Sequence, residues 1–144
     1  MKTVKLYRPV GLKELELIMG SGWKKFPPRL EWQPIFYPVL NQAYAAQIAA
    51  EWNTRDEFSG YCGVVTAFDL KEDHYLTFPV QNVGGEIHNE LWVPAAELEE
   101  FNRNMIGDIR IVQAFFGEGF AIPQSAELAQ ELLKWRQHGR EEAK

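Results

Sequence analysis

Residues Thr3 to Arg8 alternate apolar Val4 and Leu6 with Lys5 and Tyr7. That is the period-2 pattern of a half-buried strand, and Pro9 with Gly11 ends it. From Leu12 the period changes: Leu12, Leu15, Ile18 and Met19 share one helical face, with Gly20 and Gly22 placed as a stop. A brief aromatic strand is predicted over Ile35 to Val39, at an edge or bulge because it contains Pro38. Asn41 then reads as the N-cap of a helix that aligns Tyr44, Ile48 and Trp52, closed by Asn53, with Ala45 and Ala49 allowing close approach to a sheet.

Beyond the polar loop Thr54 to Ser59, the run Gly60 to Leu70 is rich in Val, Thr and aromatics and reads as a central strand. His74 to Val80 and Glu86 to Val93 read as two more strands, separated by a turn at Asn82 to Gly85. Pro94 opens a helix whose apolar face is Leu98, Phe101 and Met105 and which ends near Gly107. A last strand covers Ile109 to Phe116, and an amphipathic helix at about 125–138 carries Leu128, Leu132 and Trp135, with a disordered tail at about 139–144. Three consecutive strands within this order favour an α+β fold over a doubly wound parallel sheet: one domain over 1–144, with a mostly antiparallel split sheet and three to four helices.

The segment from Phe26 to Asn53 departs from ordinary patterning. It sets Phe26, Trp32, Phe36, Tyr37, Tyr44 and Trp52 among Pro27, Pro28, Pro34 and Pro38. Prolines withhold backbone donors, so its first half can be neither a continuous helix nor a central strand. A semi-rigid aromatic wall of a ligand cleft is expected.

Composition narrows the classes. With 144 residues, 46% hydrophobic and 24% charged, the chain suits one globular core. A net charge of −5 lacks the footprint of a nucleic-acid binder. The single Cys62 cannot form an internal disulfide, the first residues lack the apolar run of a secretory signal, and no window approaches a membrane span. A cytoplasmic protein is expected, with no membrane partner; the pattern leaves its oligomeric state open. His74, His88 and His138 have no mutual spacing for a metal site. Glycine-rich phosphate loops and nucleophile elbows are absent from the sequence.

Period 2 over Glu86 to Val93 groups Glu86, His88, Glu90 and Trp92 on one face. That face is either a solvated strand surface or a carboxylate oriented in an aromatic cleft, with Glu90 as the catalytic candidate. Arg8 closes the first strand, where a guanidinium can grip a phosphate or carboxylate, or form a surface ion pair. Arg29 after two prolines is a phosphate contact or a solubilising charge, and Tyr37 and Tyr44 stack on a planar ligand or fill core.

The strings LYRPVGLKELELI, FPPRL with QPIFYPVLNQAYAAQIAAEWN, and ELWVPAAELEEFN with IGDI span about Leu6 to Phe116. They resemble a family of small, uncharacterised bacterial proteins that often carry an ADP-ribosylation/crystallin label. The metal-binding Asp set and all-helical plan of ADP-ribosylglycohydrolases are not matched. The element order resembles instead the ADP-ribosyltransferase fold, in which a first-strand Arg or His, a central Tyr or Ser and a strand Glu surround NAD. Arg8 or Tyr7, Tyr37 or Tyr44, and Glu90 follow in that order here, without a Ser-Thr-Ser strand motif. The resemblance implies NAD as substrate and a nucleotide-binding cleft, and His88, on the face of Glu90, and Arg29, in its loop, are further candidate ligand contacts from the pattern itself. The alternative is a non-catalytic module whose aromatic face recognises a protein segment or a small ligand.

Overall fold

Strand β3, Cys62–Lys71, is buried on both faces from Cys62 to Phe68 and is the middle strand of the main sheet in the computed structural model, which describes residues 2–142 and side chains as far as Arg136. β1, Thr3–Val10, runs antiparallel along one side of it, from Thr3 opposite Lys71 to Val10 opposite Val64. β7, Met105–Phe116, runs antiparallel along the other, with two register shifts. α1 is Leu12–Gly20 and α2 is Gln42–Glu51; α3 is the single turn Glu72–Tyr75, α4 is Leu98–Arg103 and α5 is Ala126–Glu142. The short strands are β2 (Ile35–Phe36), β4 (Val80–Asn82), β5 (Asn89–Leu91) and β6 (Val93–Pro94), with β2 pairing β6 and β4 pairing β5. The fold is α+β with antiparallel sheets in one compact domain.

The sheet is split, and the split places the site. On the outer edge of β1, Tyr7 N–H donates to the Val39 carbonyl at 3.0 Å and Val39 N–H donates to the Tyr7 carbonyl at 2.8 Å. The next residues turn to β5: Leu40 N–H donates to Asn89 O at 3.1 Å, and Leu91 N–H to Pro38 O at 2.8 Å. A single residue therefore joins β1 to the β4–β5 hairpin. Pro34 and Pro38 withhold donors on this segment, which is why it pairs in single steps instead of forming a full strand.

Alternation along the strands divides the core in two. Leu6, Val10, Val64, Phe68 and Leu70 face a large cluster with Leu15, Ile18, Phe26, Phe36, Phe101 and Leu132. Tyr7, Val39 and Val65 face Tyr44, Ala45 and Ala49 of α2. Asn41 caps α2 as the sequence predicts, its Oδ1 accepting from Tyr44 N–H at 2.8 Å.

Several local expectations need correction. β1 continues through Pro9 to Val10. Pro9 lies two residues beyond Tyr7, so its missing N–H falls on the outer edge and the ladder to β3 loses nothing. The strand expected over His74 to Val80 is mostly the turn α3, closed by Leu76 N–H to Glu72 O and Thr77 N–H to His74 O, and only Val80 begins β4. The strand expected over Glu86 to Val93 breaks into β5 and β6, because the hairpin turn extends to His88, whose carbonyl accepts from Val83 N–H. Pro94 ends β6 opposite Ile35, and α4 starts only at Leu98. Met105 belongs to β7 rather than to the α4 face. Among the described residues the four longer helices, α1, α2, α4 and α5, are those the pattern predicts, and the single turn α3 and three 3-10 turns, Asn53–Arg55, Glu57–Ser59 and Ala95–Glu97, are added to them. α5 extends to Glu142, so the tail expected at about 139–144 is helical as far as it is described, and its last two residues lie outside the described residues.

Candidate functional site

A cleft of about 820 Å³ opens beside the split, within the ~300–1,000 Å³ range of small-molecule sites. The segment from Pro27 to Asn53 supplies much of its lining, including Pro28, Arg29, Trp32, Tyr37 and Trp52. Facing residues come from the end of β1 (Arg8), from α1 (Lys13, Glu14, Leu17) and from the β5–β6 region (Glu90, Trp92). Arg8, Arg29, Tyr37 and Glu90 thus share one cleft. Tyr44 and His88 do not line it.

Glu90 is held by two donors. Tyr44 Oη donates to Oε2 at 2.6 Å and Trp92 Nε1 donates to Oε1 at 3.2 Å. Each donor is itself braced. The Tyr37 ring meets Trp92 edge-on at 5.8 Å between centroids, and the His88 ring packs on Tyr44 at 4.7 Å. His88 Nδ1 accepts from Gly85 N–H at 2.8 Å, which assigns the ring proton to Nε2, donated to Gln47 Oε1 at 2.8 Å. Burial first, and the Glu90 carboxylate second, push the Tyr44 hydroxyl well above the usual phenol range, so it keeps its proton and donates. Tyr44 and His88 therefore stand behind Glu90 as supports; neither occupies a stacking position in the cleft.

Arg8 is committed internally. Its Nε donates to Glu14 Oε2 at 2.6 Å and its Nη2 to Glu14 Oε1 at 2.9 Å, and the guanidinium lies 4.7 Å from the Phe36 ring centroid. This buried bidentate pair answers the alternative left open for Arg8: the guanidinium serves an ion pair. Arg29 differs. Its Nε donates to Ile35 O at 3.1 Å, while its Nη groups donate to no described residue.

The mouth of the cleft is apolar and exposed: Trp32 is 75% accessible, Trp52 61% and Phe58 95%. Below it Asn53 Nδ2 donates to Ser59 Oγ at 2.9 Å and Ser59 Oγ to Asp56 Oδ2 at 2.7 Å. Glu14 and this Asn53–Ser59–Asp56 chain are lining groups that sequence reasoning missed. Glu14 carries only the ordinary signal of an acid in a first helical turn, whereas Trp92 was legible through its period-2 relation to Glu90. Among the described residues no group of His, Cys, Asp and Glu could hold a metal ion, and no helix is long and apolar enough to cross a membrane.

Cys62 is outside the cleft and fully buried, and burial pushes its thiol up to about 12. A raised folded-state value means that stability is complete below the ordinary thiol value near 9.0 and declines as pH rises toward 12. Chemical denaturation between pH 9 and 10 should show the thiol lowering stability by ~1 kcal/mol in the native chain, since only half of the unfolded thiols are ionised at the start of that interval. The Cys62→Ala variant should show a flatter dependence over that interval; equal slopes would remove the thiol as the cause.

Comparison of the chain with protein-family models, with curated proteins and with solved structures gives no match. The functional reading therefore stands on the geometry of the cleft and on its chemistry.

Proposed function

We propose that the cleft binds NAD and that the protein transfers ADP-ribose from it to a nucleophilic acceptor, the bond from ribose C1′ to the acceptor replacing the bond to nicotinamide, which leaves. The observation that carries this reading is Glu90, a carboxylate fixed from both oxygens in a cleft shared with Arg8, Arg29 and Tyr37. Breaking the bond between nicotinamide and ribose develops positive charge on the ribose ring. A carboxylate already oriented can hold a ribose hydroxyl and stabilise that charge without reorganising in the transition state. Tyr44 and Trp92 restrict Glu90 to that orientation, and each carboxylate oxygen keeps acceptor capacity beyond its one donor. The exposed ring of Trp32 and the edge of Tyr37 offer surfaces for planar heterocycles.

Calorimetry with NAD, paired with an assay for released nicotinamide, tests the proposal. Binding in the micromolar to millimolar range with nicotinamide release is the expected result. No heat at millimolar NAD sinks it. The exposed apolar mouth favours a second reading, recognition of a planar ligand or a peptide without chemistry; NAD bound without nicotinamide release would turn the assignment to that reading.

A further inference from the structure

We infer that the cleft takes a ligand bearing an oxyanion, phosphate or carboxylate, on the guanidinium of Arg29, and that Arg8, neutralised by Glu14, positions the wall instead of gripping the ligand. The inference rests on the cleft being a ligand site and not on the reaction proposed for it.

The two arginines face the same space with opposite commitments. Arg8 is buried, gives Nε and Nη2 to the two oxygens of Glu14 and places its guanidinium carbon over the Phe36 ring, 4.7 Å from the centroid. An incoming anion would have to displace a bidentate carboxylate at 2.6 and 2.9 Å to reach those donors. Arg29 is half-buried, and no described carboxylate pairs with it. Its Nε is tied to Ile35 O, which fixes the guanidinium and leaves the fork of Nη donors to be matched by a planar or tetrahedral oxyanion. Pro27 and Pro28 immediately before it stiffen the segment that presents it.

Charge bookkeeping agrees. Arg8 and then Glu14 are the charged groups that act most on Arg29, with opposite signs, and they pair with each other; Glu90 and Asp56, the other carboxylates of the cleft, accept from Tyr44, Trp92 and Ser59 and make no ion pair with Arg29. Burial lowers the Arg29 pKa, Arg8 lowers it further, and Glu14 and Tyr37 offset part of the change. A half-buried guanidinium without a carboxylate partner carries an uncompensated charge that a ligand anion would neutralise. Lys13 and Arg29 are the cleft's two cations outside the Arg8–Glu14 pair, and of these only Arg29 has the rigid fork.

Calorimetry at low ionic strength with ADP and, separately, with succinate reads the proposal in the native protein and in Arg29→Gln, Arg29→Lys and Glu14→Gln. At least one probe should bind the native chain, and binding should fall tenfold or more in Arg29→Gln with partial recovery in Arg29→Lys. Glu14→Gln removes the countercharge of Arg8 and one of its two acceptors, raises the positive potential of the cleft and should tighten the same probe several-fold. ADP as the responsive probe assigns a phosphate ligand, and succinate a carboxylate ligand. Circular dichroism checks each variant, and should Arg29→Gln not fold, Arg29→Lys decides, with binding weakened several-fold as the expected result and binding unchanged as the one that overturns the inference. Failure of both probes to bind overturns the inference, as does Arg29→Gln binding within twofold of the native chain or Glu14→Gln binding no more tightly. ADP binding that depends on Arg29, in a protein that releases no nicotinamide from NAD, would remove the proposed reaction and leave this inference standing.

Discussion

Glu90→Gln is expected to lower nicotinamide release by about 10²–10³-fold while leaving NAD affinity within a few-fold, the loss typical of removing one preorganised electrostatic group. The substitution is nearly isosteric, and its hydrogen bonds can be kept. The Gln oxygen can accept from Trp92 Nε1, and the Gln amide can donate to Tyr44 Oη, which turns from donor to acceptor. The variant therefore removes charge without emptying space, so a loss of turnover with retained melting behaviour reads chemistry rather than folding. Tyr44→Phe should cost less, about tenfold, because it deletes one 2.6 Å hydrogen bond to the carboxylate and leaves Trp92 in place. Steady-state kinetics with both variants is the measurement. Turnover unchanged in Glu90→Gln would end the enzymatic reading.

Gly63→Ala should destabilise the protein by about 3 kcal/mol, the upper part of the range for overpacking a close-packed site. Gly63 lies in β3 under α2, and a Cβ there would stand 2.5 Å from the Ala49 carbonyl oxygen and 2.7 Å from its Cα. These are backbone atoms of a helix, so no rotamer change relieves the contact; α2 itself must move. A fall of roughly 10 °C in Tm is the corresponding thermal shift for a chain of this size. Because α2 carries Tyr44, the same displacement should loosen Glu90 and reduce turnover beyond the stability loss. Gly20→Ala is the control, since a Cβ at that helical position meets nothing within 4 Å and alanine favours helix over glycine. Its Tm should be unchanged or slightly raised.

Much of the scaffold was written in local pattern. Leu15 and Ile18 at helical spacing gave α1, Asn41 announced the start of α2, and the apolar run after Gly60 marked the central strand. The errors cluster between Glu72 and Glu97, where short strands and turns alternate every few residues. There the hydrogen bonds of a hairpin and of a single helical turn overrode β-rich composition.

For the cleft, residue type and order were enough to bring Arg8, Arg29, Tyr37 and Glu90 forward, and proline content was enough to make the first half of Phe26 to Asn53 irregular before α2. These follow from chain stiffness and alternation, which act over a few residues. The role of each side chain was settled elsewhere. Tyr44 reaches Glu90 across 46 positions, Phe26 and Phe36 turn into the core, and Glu14 takes the donors of Arg8. Such pairings depend on how helices and strands dock, and identical local patterns allow a tyrosine to stack on a ligand or to brace a carboxylate. Packing made that choice, leaving Arg29 as the cleft's uncommitted guanidinium.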